Sequence, residues 1–239
     1  MDPARERPVE RKNPGERAKK VKIRVHPEGW PYIAAAVVVN AAAAVLSPWA
    51  GLGLLPLTGW CVAFFRDPKR QAPAGEGLVI SPADGRLLPV TAAAPPEELG
   101  LGPAPRTRLS IFMDVFNVHV NRIPEDGLVT ALAYRPGKFF NASFDKASIH
   151  NERMGVRLSL KGRLGEPPRE LALVQIAGLV ARRIHCELKE GQRVCRGDRF
   201  GIIRFGSRVD VYLPADARVR VHAGQKVRAG ETVLADFLP

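Results

Sequence analysis

Gly191-Gln192-Arg193-Val194-Cys195-Arg196-Gly197-Asp198 and, 33 residues later, Gly224-Gln225-Lys226-Val227-Arg228-Ala229-Gly230-Glu231 are one pattern written twice. In each copy a Gly-x-x-Val-x-x-Gly turn precedes an apolar run, residues 200–203 and 232–235. A turn-strand unit repeated at a fixed interval predicts two pseudo-symmetric halves of a β-sandwich. Between the copies runs Phe205-Gly206-Ser207-Arg208-Val209-Asp210. A glycine inside a strand pattern marks a bulge, a bend or a close backbone approach. Taken alone, Gly206-Ser207 reads as a hairpin corner.

The repeat is similar to the half-motif of lipoyl and biotinyl carrier domains, which present a lysine at the corner between their halves. Here that corner holds Phe205-Gly206-Ser207, so a modified lysine is not expected. Upstream, residues 78–80, 85–90, 108–113, 128–134, 156–161 and 171–176 are short strand-like runs punctuated by Gly, Pro, Asn and Asp. That texture predicts a mainly β domain, sandwich-like or barrel-sandwich-like, over 71–239. Residues 91–106, rich in Ala, Pro and Glu, read as a surface loop.

Before this domain the pattern changes. Residues 1–24 carry nine Lys/Arg against four Asp/Glu, with few large apolar side chains, and read as a basic flexible arm. From Trp30 to Phe65 no residue is charged, and Ser47-Pro48-Trp49 splits the run in two. As one helix it would be ~54 Å long, against a hydrocarbon core of ~30 Å. As two helices of roughly 25 Å each it makes a membrane-associated hairpin, which assigns residues 25–70. Trp30, Tyr32, Trp49 and Trp60 lie near the helix ends, as interfacial anchors do. Basic residues on both flanks place both ends on the cytoplasmic side of the cell membrane, with the hairpin inserted or lying peripherally. The run starts too late and is too long for a signal peptide. A buried soluble helical hairpin is the competing reading.

The net charge of +12 suits an anionic lipid surface. Nucleic acid is not expected as a partner, because the basic residues are not interleaved with aromatics and no zinc-finger or RNA-binding signature is present. Cys61, Cys186 and Cys195 lack CxxC spacing, so they read as buried or free thiols, and no metal site is expected with His185.

Several short motifs could carry chemistry. Ser81-Pro82-Ala83-Asp84-Gly85 is an Asp-Gly turn after a strand. In Phe116-Asn117-Val118-His119-Val120-Asn121-Arg122-Ile123-Pro124, alternation puts Asn117, His119 and Asn121 on one face. Pro136-Gly137-Lys138-Phe139-Phe140-Asn141 is either a ligand-facing loop or a turn with an aromatic plug. Asn151-Glu152-Arg153-Met154 reads as a polar knot that could pair charges at a strand start, the alternative being a surface ion pair worth little energetically.

In this order and at these intervals, the motifs resemble those of phosphatidylserine decarboxylase proenzymes of the short bacterial type. The resemblance runs from about His26 to Pro239. It rests on His26-Pro-Glu-Gly-Trp-Pro31, Phe64-Phe-Arg-Asp-Pro68, Ser81-Pro-Ala-Asp-Gly85, Val118-His-Val-Asn-Arg122, Pro136-Gly137 with Phe139, Asn151-Glu-Arg153 and Arg204-Phe-Gly-Ser207.

The resemblance implies that the chain cuts itself between Gly206 and Ser207, giving a β chain of 1–206 and an α chain of 207–239 that stay together as a heterodimer. Ser207 is then the nucleophile and becomes a covalent pyruvoyl cofactor, which forms a Schiff base with phosphatidylserine and releases phosphatidylethanolamine and CO2. Asp84 matches the aspartate of the self-cleavage relay and would orient a histidine. His119 matches the first histidine of a His-x-x-His-x-Pro motif in longer relatives, and Arg122 stands where the second would be. Arginine is not a base near neutral pH, so either His119 serves both maturation and turnover or the base lies elsewhere, with His185 and His150 in reserve. Arg122, Asn121 and Phe139 are then expected at the substrate, Arg122 through its bidentate fork. Two other readings stay open: a decarboxylase of a different serine lipid, and a membrane-tethered binding module whose Gly206-Ser207 turn is never cut. A higher oligomer is also left open.

Overall fold

The computed structural model describes residues 24–138, 142, 150–160, 168–178, 183–204 and 206–237. It begins with a helical hairpin. A 3-10 turn, Pro27–Gly29, leads into α1 (Trp30–Leu46), and α2 (Pro48–Phe64) follows after the single extended residue Ser47. Inside the hairpin the Asn40 amide donates to the Gly51 carbonyl at 3.2 Å, which spares a polar group in an otherwise apolar pair. Pro27–Leu46 is the one helical stretch among the described residues that is both long and apolar enough to cross a membrane. α2 is shorter.

The rest is β structure: β1 (Leu78–Ile80), β2 (Gly85–Leu87), β3 (Thr91–Ala93), β4 (Arg106–Met113), β5 (Val120–Arg122), β6 (Gly127–Arg135), β7 (Arg153–Leu160), β8 (Arg169–Ala177), β9 (Ile184–Cys186), β10 (Arg193–Val194), β11 (Arg199–Ile203), β12 (Ser207–Tyr212), β13 (Ala217–Val219), β14 (Lys226–Val227) and β15 (Val233–Phe237). A nine-stranded antiparallel sheet runs β10-β6-β7-β8-β12-β4-β2-β14, with β3 on the side of β4. Two three-stranded sheets, β1-β15-β13 and β5-β11-β9, complete the fold. Residues from all three sheets share one buried cluster, including Val79, Ile111, Leu173, Phe200, Val209 and Leu234. The mainly β expectation and its N-terminal helices are what the structure contains.

The sequence repeat is a structural repeat. β10 and β14 terminate opposite ends of the large sheet. Val129 exchanges backbone hydrogen bonds with Gly191 and Gln192 of the first turn, as Leu87 does with Gly224 and Gln225 of the second. Likewise Gly197 donates to Ile123 and Gly230 to Ser81. All four repeat glycines have φ between 78° and 88°, a conformation costly for any residue with a Cβ.

Two expectations need correction. Residues 91–106 are not merely a surface loop. β3 pairs with β4, and the 3-10 turn Glu97–Leu99 inserts Leu99 over Ala172, Val174, Ile176 and Tyr212. The single Leu99 gives no periodicity by which to recognise this cover. The Gly-Ser step is also not a presented corner: Ser207 opens β12, hydrogen-bonded between β4 and β8 near the middle of the large sheet.

The hairpin foot packs on the β5-β11 side. Ile33, Cys61, Phe64 and Phe65 form a buried cluster with Val118, Val120 and Ile202. His26 caps the 3-10 turn, donates its backbone N–H to Phe65, and points Nε2 at Glu187, 3.4 Å away. At the far end Leu46, Trp49 and Val45 are more than four-fifths exposed.

Candidate active site

β12 alternates Ser207, Val209 and Val211 toward the core with Arg208, Asp210 and Tyr212 on the other side, and both sides are buried. Ser207 itself has no exposed surface. Its hydroxyl has no hydrogen-bond partner among the described residues. A buried hydroxyl left without a partner costs about 1–3 kcal/mol, so such a group calls for a reason.

The bond before it is shaped by two glycines. Gly206 has φ 71°, with nothing within 4 Å of where a Cβ would stand, so its requirement is conformational. Gly178, just past β8, is a matter of space: a Cβ there would sit 2.2 Å from the Gly206 carbonyl oxygen and 2.9 Å from its carbon. The carbonyl preceding Ser207 therefore lies directly against the Gly178 backbone.

Opposed residues on neighbouring strands share a face. Ser207 opposes Met113 and Ala177, and Val209 opposes Gln175. Asn121 reaches this same face from β5: its Oδ1 accepts from Gln175 at 2.8 Å, and its Nδ2 approaches Met113 Sδ at 3.8 Å and the Pro82 carbonyl at 3.5 Å. Asn121 and Gln175 are both fully buried. Behind the face, the Arg208 guanidinium meets Asp210 at 2.7 Å and donates to the Ala142 carbonyl at 3.2 Å.

His119 lies just before β5 and is fully buried. Its ring stacks on Phe64 of the hairpin, centroids 4.2 Å apart. Burial lowers its pKa to about 4, so the ring is neutral at pH 7. Nδ1 is 3.1 Å from the Asn117 carbonyl, an acceptor, which puts the proton on Nδ1 and the lone pair on Nε2. Nε2 has no partner among the described residues. So His119 and Ser207 each offer an unused polar atom but do not bond to each other. Asn117 belongs to a turn with Asp114, not to the strand, so the expected polar stripe is broken after its first member.

Asp84 and Arg122 sit in a different group. Asp84 accepts from Arg70 at 2.7 Å and from the Ala229 N–H at 2.7 Å. Burial raises its pKa, while that N–H and Arg70 pull it down. Arg122 donates to the carbonyls of Gly197 and Pro68 and pairs with Asp67 at 3.2 Å; Asp67 also meets Arg199. Arg70 meets Glu231 as well. Arg122 thus fastens the exit of the hairpin to the first repeat turn, Arg70 and Asp84 tie to the second, and the Arg122 fork is occupied by the protein. The Arg122 backbone N–H donates to Pro82, which sets the Asp84 turn beside β5.

Asn151-Glu152-Arg153 forms the polar knot at a strand start rather than a surface ion pair: Arg153 opens β7 and meets Glu98 at 2.6 Å. All three are buried. The Asn151 amide donates to the Ala177 carbonyl at 2.7 Å, the Glu152 carbonyl accepts from the Ala177 N–H, and Lys138 pairs through its backbone with His150 and Glu152. The motif secures the end of β8 beside Ser207. Phe139 and Phe205 lie outside the described residues. His150 is exposed, and His185 lies near Glu28 and Glu187 at the hairpin foot. Sequence reasoning missed Gln175, Gly178, Asp67, Arg70 and the Arg208–Asp210 pair. Asp67 lay inside a quoted motif, with Arg70 two residues beyond its end, and Arg208 and Asp210 lay in the quoted stretch around Gly206-Ser207 without their pairing being read.

A family model described as phosphatidylserine decarboxylase matches residues 57–235. A Paramagnetospirillum magneticum protein named phosphatidylserine decarboxylase proenzyme is 55% identical over 214 residues, 89% of this chain and 87% of that one. Proteins of the same name from Cereibacter sphaeroides and Rickettsia bellii are 53% and 51% identical, each across 89% of this chain and 90% of theirs. The chain belongs to the phosphatidylserine decarboxylase family. The match begins inside α2, so it takes in the second half of that helix, which carries Phe64, the ring stacked on His119. It also spans the whole of the β domain up to β15, including both repeat turns and the Gly206–Ser207 step.

Proposed function

We propose that this protein is a membrane-bound, self-processing enzyme that decarboxylates phosphatidylserine to phosphatidylethanolamine, using a pyruvoyl group made from Ser207. The observation that carries the reading is the unpartnered, fully buried Ser207 hydroxyl, placed directly after a left-handed Gly206 whose carbonyl rests on Gly178.

Ser207 Oγ attacks the Gly206 carbonyl carbon, the C–N bond breaks, and the serine nitrogen leaves as an amine, so an ester replaces the amide. Serine needs a base for this. His119 suits that role because it is neutral and keeps its Nε2 lone pair. Loss of the Ser207 Cα proton then expels the Gly206 carboxylate, and hydrolysis of the resulting double-bonded residue releases ammonia. The pyruvoyl group supplies a ketone that binds the substrate amine and draws off the electrons left as CO2 departs. Asn121, fixed by Gln175, orients polar groups on the Ser207 face. The apolar ring of Phe64 excludes water from His119. Asp84 acts through Arg70 and the Ala229 N–H to hold the turn beside β5.

The hairpin serves the same purpose at a larger scale. A diacyl lipid does not readily leave a bilayer, since each buried methylene contributes ~0.8 kcal/mol. The hairpin, with both basic flanks on the cytoplasmic side, brings the catalytic domain to the headgroup, and the two products of cleavage remain one heterodimer. The test is chemical. Purified protein supplied with phosphatidylserine vesicles should release CO2, and borohydride or hydroxylamine, which consume ketones, should abolish the release. Activity that survives both reagents would rule out the pyruvoyl reading.

A further inference from the structure

A cleft of about 410 Å³ opens at the foot of the hairpin, lined by Glu28, Tyr134, Met154, Arg183, His185 and Arg204 among others. That volume is in the range of small-ligand sites. Nothing in the reaction scheme above uses these residues. We propose that this cleft binds the anionic phosphate of the phospholipid headgroup through Arg183 and Arg204, and so sets the substrate's reach to residue 207. The inference rests on the decarboxylase reading.

Three observations converge on it. The first is position relative to residue 207. Tyr134 opposes Met154, Met154 opposes Gln175, and Gln175 opposes Val209, so the cleft wall and Ser207 share one face of the large sheet. Only β8 lies between β7 and β12, a separation of about 10 Å at ~4.8 Å per strand. Arg204 is also three residues upstream of Ser207 in the chain.

The second is position relative to the lipid. Glu28 lies in the 3-10 turn that opens into α1, and Arg204 binds it at 2.8 Å while contacting Tyr32 of α1. The cleft therefore sits where the apolar hairpin meets the polar domain, the level of a headgroup when the hairpin is in a bilayer.

The third is charge. Arg204 is balanced by Glu28. Arg183 is exposed and has no carboxylate partner among the described residues, and its backbone carbonyl accepts from Arg204 N–H, so the two arginines are tied together. An arginine fork matches a phosphate oxygen pair.

The experiment separates processing from turnover. Full-length Arg183→Ala protein should cleave itself as wild type does, by mass. Its KM for phosphatidylserine in mixed micelles should rise about tenfold, as expected for one lost charge-assisted contact, with kcat within about twofold. Arg183→Lys should recover part of the loss. Arg193→Ala, which removes an exposed cation from β10, should leave KM unchanged and so controls for general attraction to anionic micelles. Glycerophosphoserine, a headgroup without acyl chains, should compete in wild type and compete poorly in Arg183→Ala. Competition by inorganic phosphate alone would mean a free-anion site and overturn the headgroup assignment. Should Arg183→Ala fail to process, glycerophosphoserine binding is measured on the uncut Ser207→Ala chain with and without Arg183→Ala, and equal binding overturns the proposal. An unchanged KM in processed Arg183→Ala overturns it too. Wild type that processes but releases no CO2 instead removes the decarboxylase reading itself.

Discussion

His119, fully buried, and Glu125, partly buried, pull stability in opposite directions with pH. The His119 pKa falls to about 4 from its ordinary 6.5, because burial disfavours the charged ring. The unfolded chain then binds the extra proton first, so this group's contribution is lost as pH drops from about 6.5 toward 4. Burial pushes Glu125 up to about 7, against the pull of Arg196, so its contribution is lost as pH rises from about 4.5 toward 7. Each shift is worth about 3 kcal/mol. Glu125→Gln should remove the second effect and expose the first: its denaturation midpoint should fall more steeply on acidification than that of wild type. Parallel curves would mean that burial does not raise Glu125, and a mutant midpoint that does not fall on acidification would mean that His119 is not held neutral. Gly178 gives a sharper residue-scale test. Gly178→Ala forces a Cβ to within 2.2 Å of the Gly206 oxygen. Displacing that carbonyl costs about 1–3 kcal/mol, so cleavage followed by mass should slow about tenfold or more. An unchanged rate would separate the Gly178 contact from maturation. Neither residue's role is written in local sequence. Gly178 matters because of a carbonyl 28 positions away in the chain, and Gln175 because of Asn121.

Elements were easier to read than side-chain partners. The hairpin was legible because a charge-free run broken by Ser47-Pro48 can form little else, and both helices have the expected 17 residues. The strands were legible from alternation, and the repeat from its four glycines. The Leu99 plug was not, because one residue carries no period. Arg122 was legible as important but not in its role: no sequence rule says that Asp67 and two carbonyls, at Pro68 and Gly197, would fill its fork. Asp67 and Arg122 together join hairpin to domain, and unpairing one such buried partner costs about 3–5 kcal/mol. At this scale the hairpin tip makes the prediction. Leu46 and Trp49 are 88% and 81% exposed. Leu46→Glu with Trp49→Glu should leave the β domain folded and self-cleaved while sharply reducing flotation with phosphatidylserine vesicles. Undiminished flotation would assign membrane attachment to some other surface.

At the scale of the whole molecule, the two repeat halves place β12 where neither half alone could: near the centre of the nine-stranded sheet, with the hairpin foot against β5 and β11. Arg122 clamps the hairpin exit to Gly197 of one repeat turn, and Asp84 bonds to Ala229 of the other. Cleavage at Gly206–Ser207 would leave β12 bonded to β4 and β8 along its length, so the two products should stay associated without any covalent link. Intact mass of purified wild-type protein under denaturing conditions tests this account most directly. The account predicts two fragments, residues 1–206 and 207–239, the smaller one lighter by one ammonia than a fragment beginning with serine, and a single full-length chain for Ser207→Ala. A wild-type protein that decarboxylates phosphatidylserine while remaining one uncut chain would contradict it.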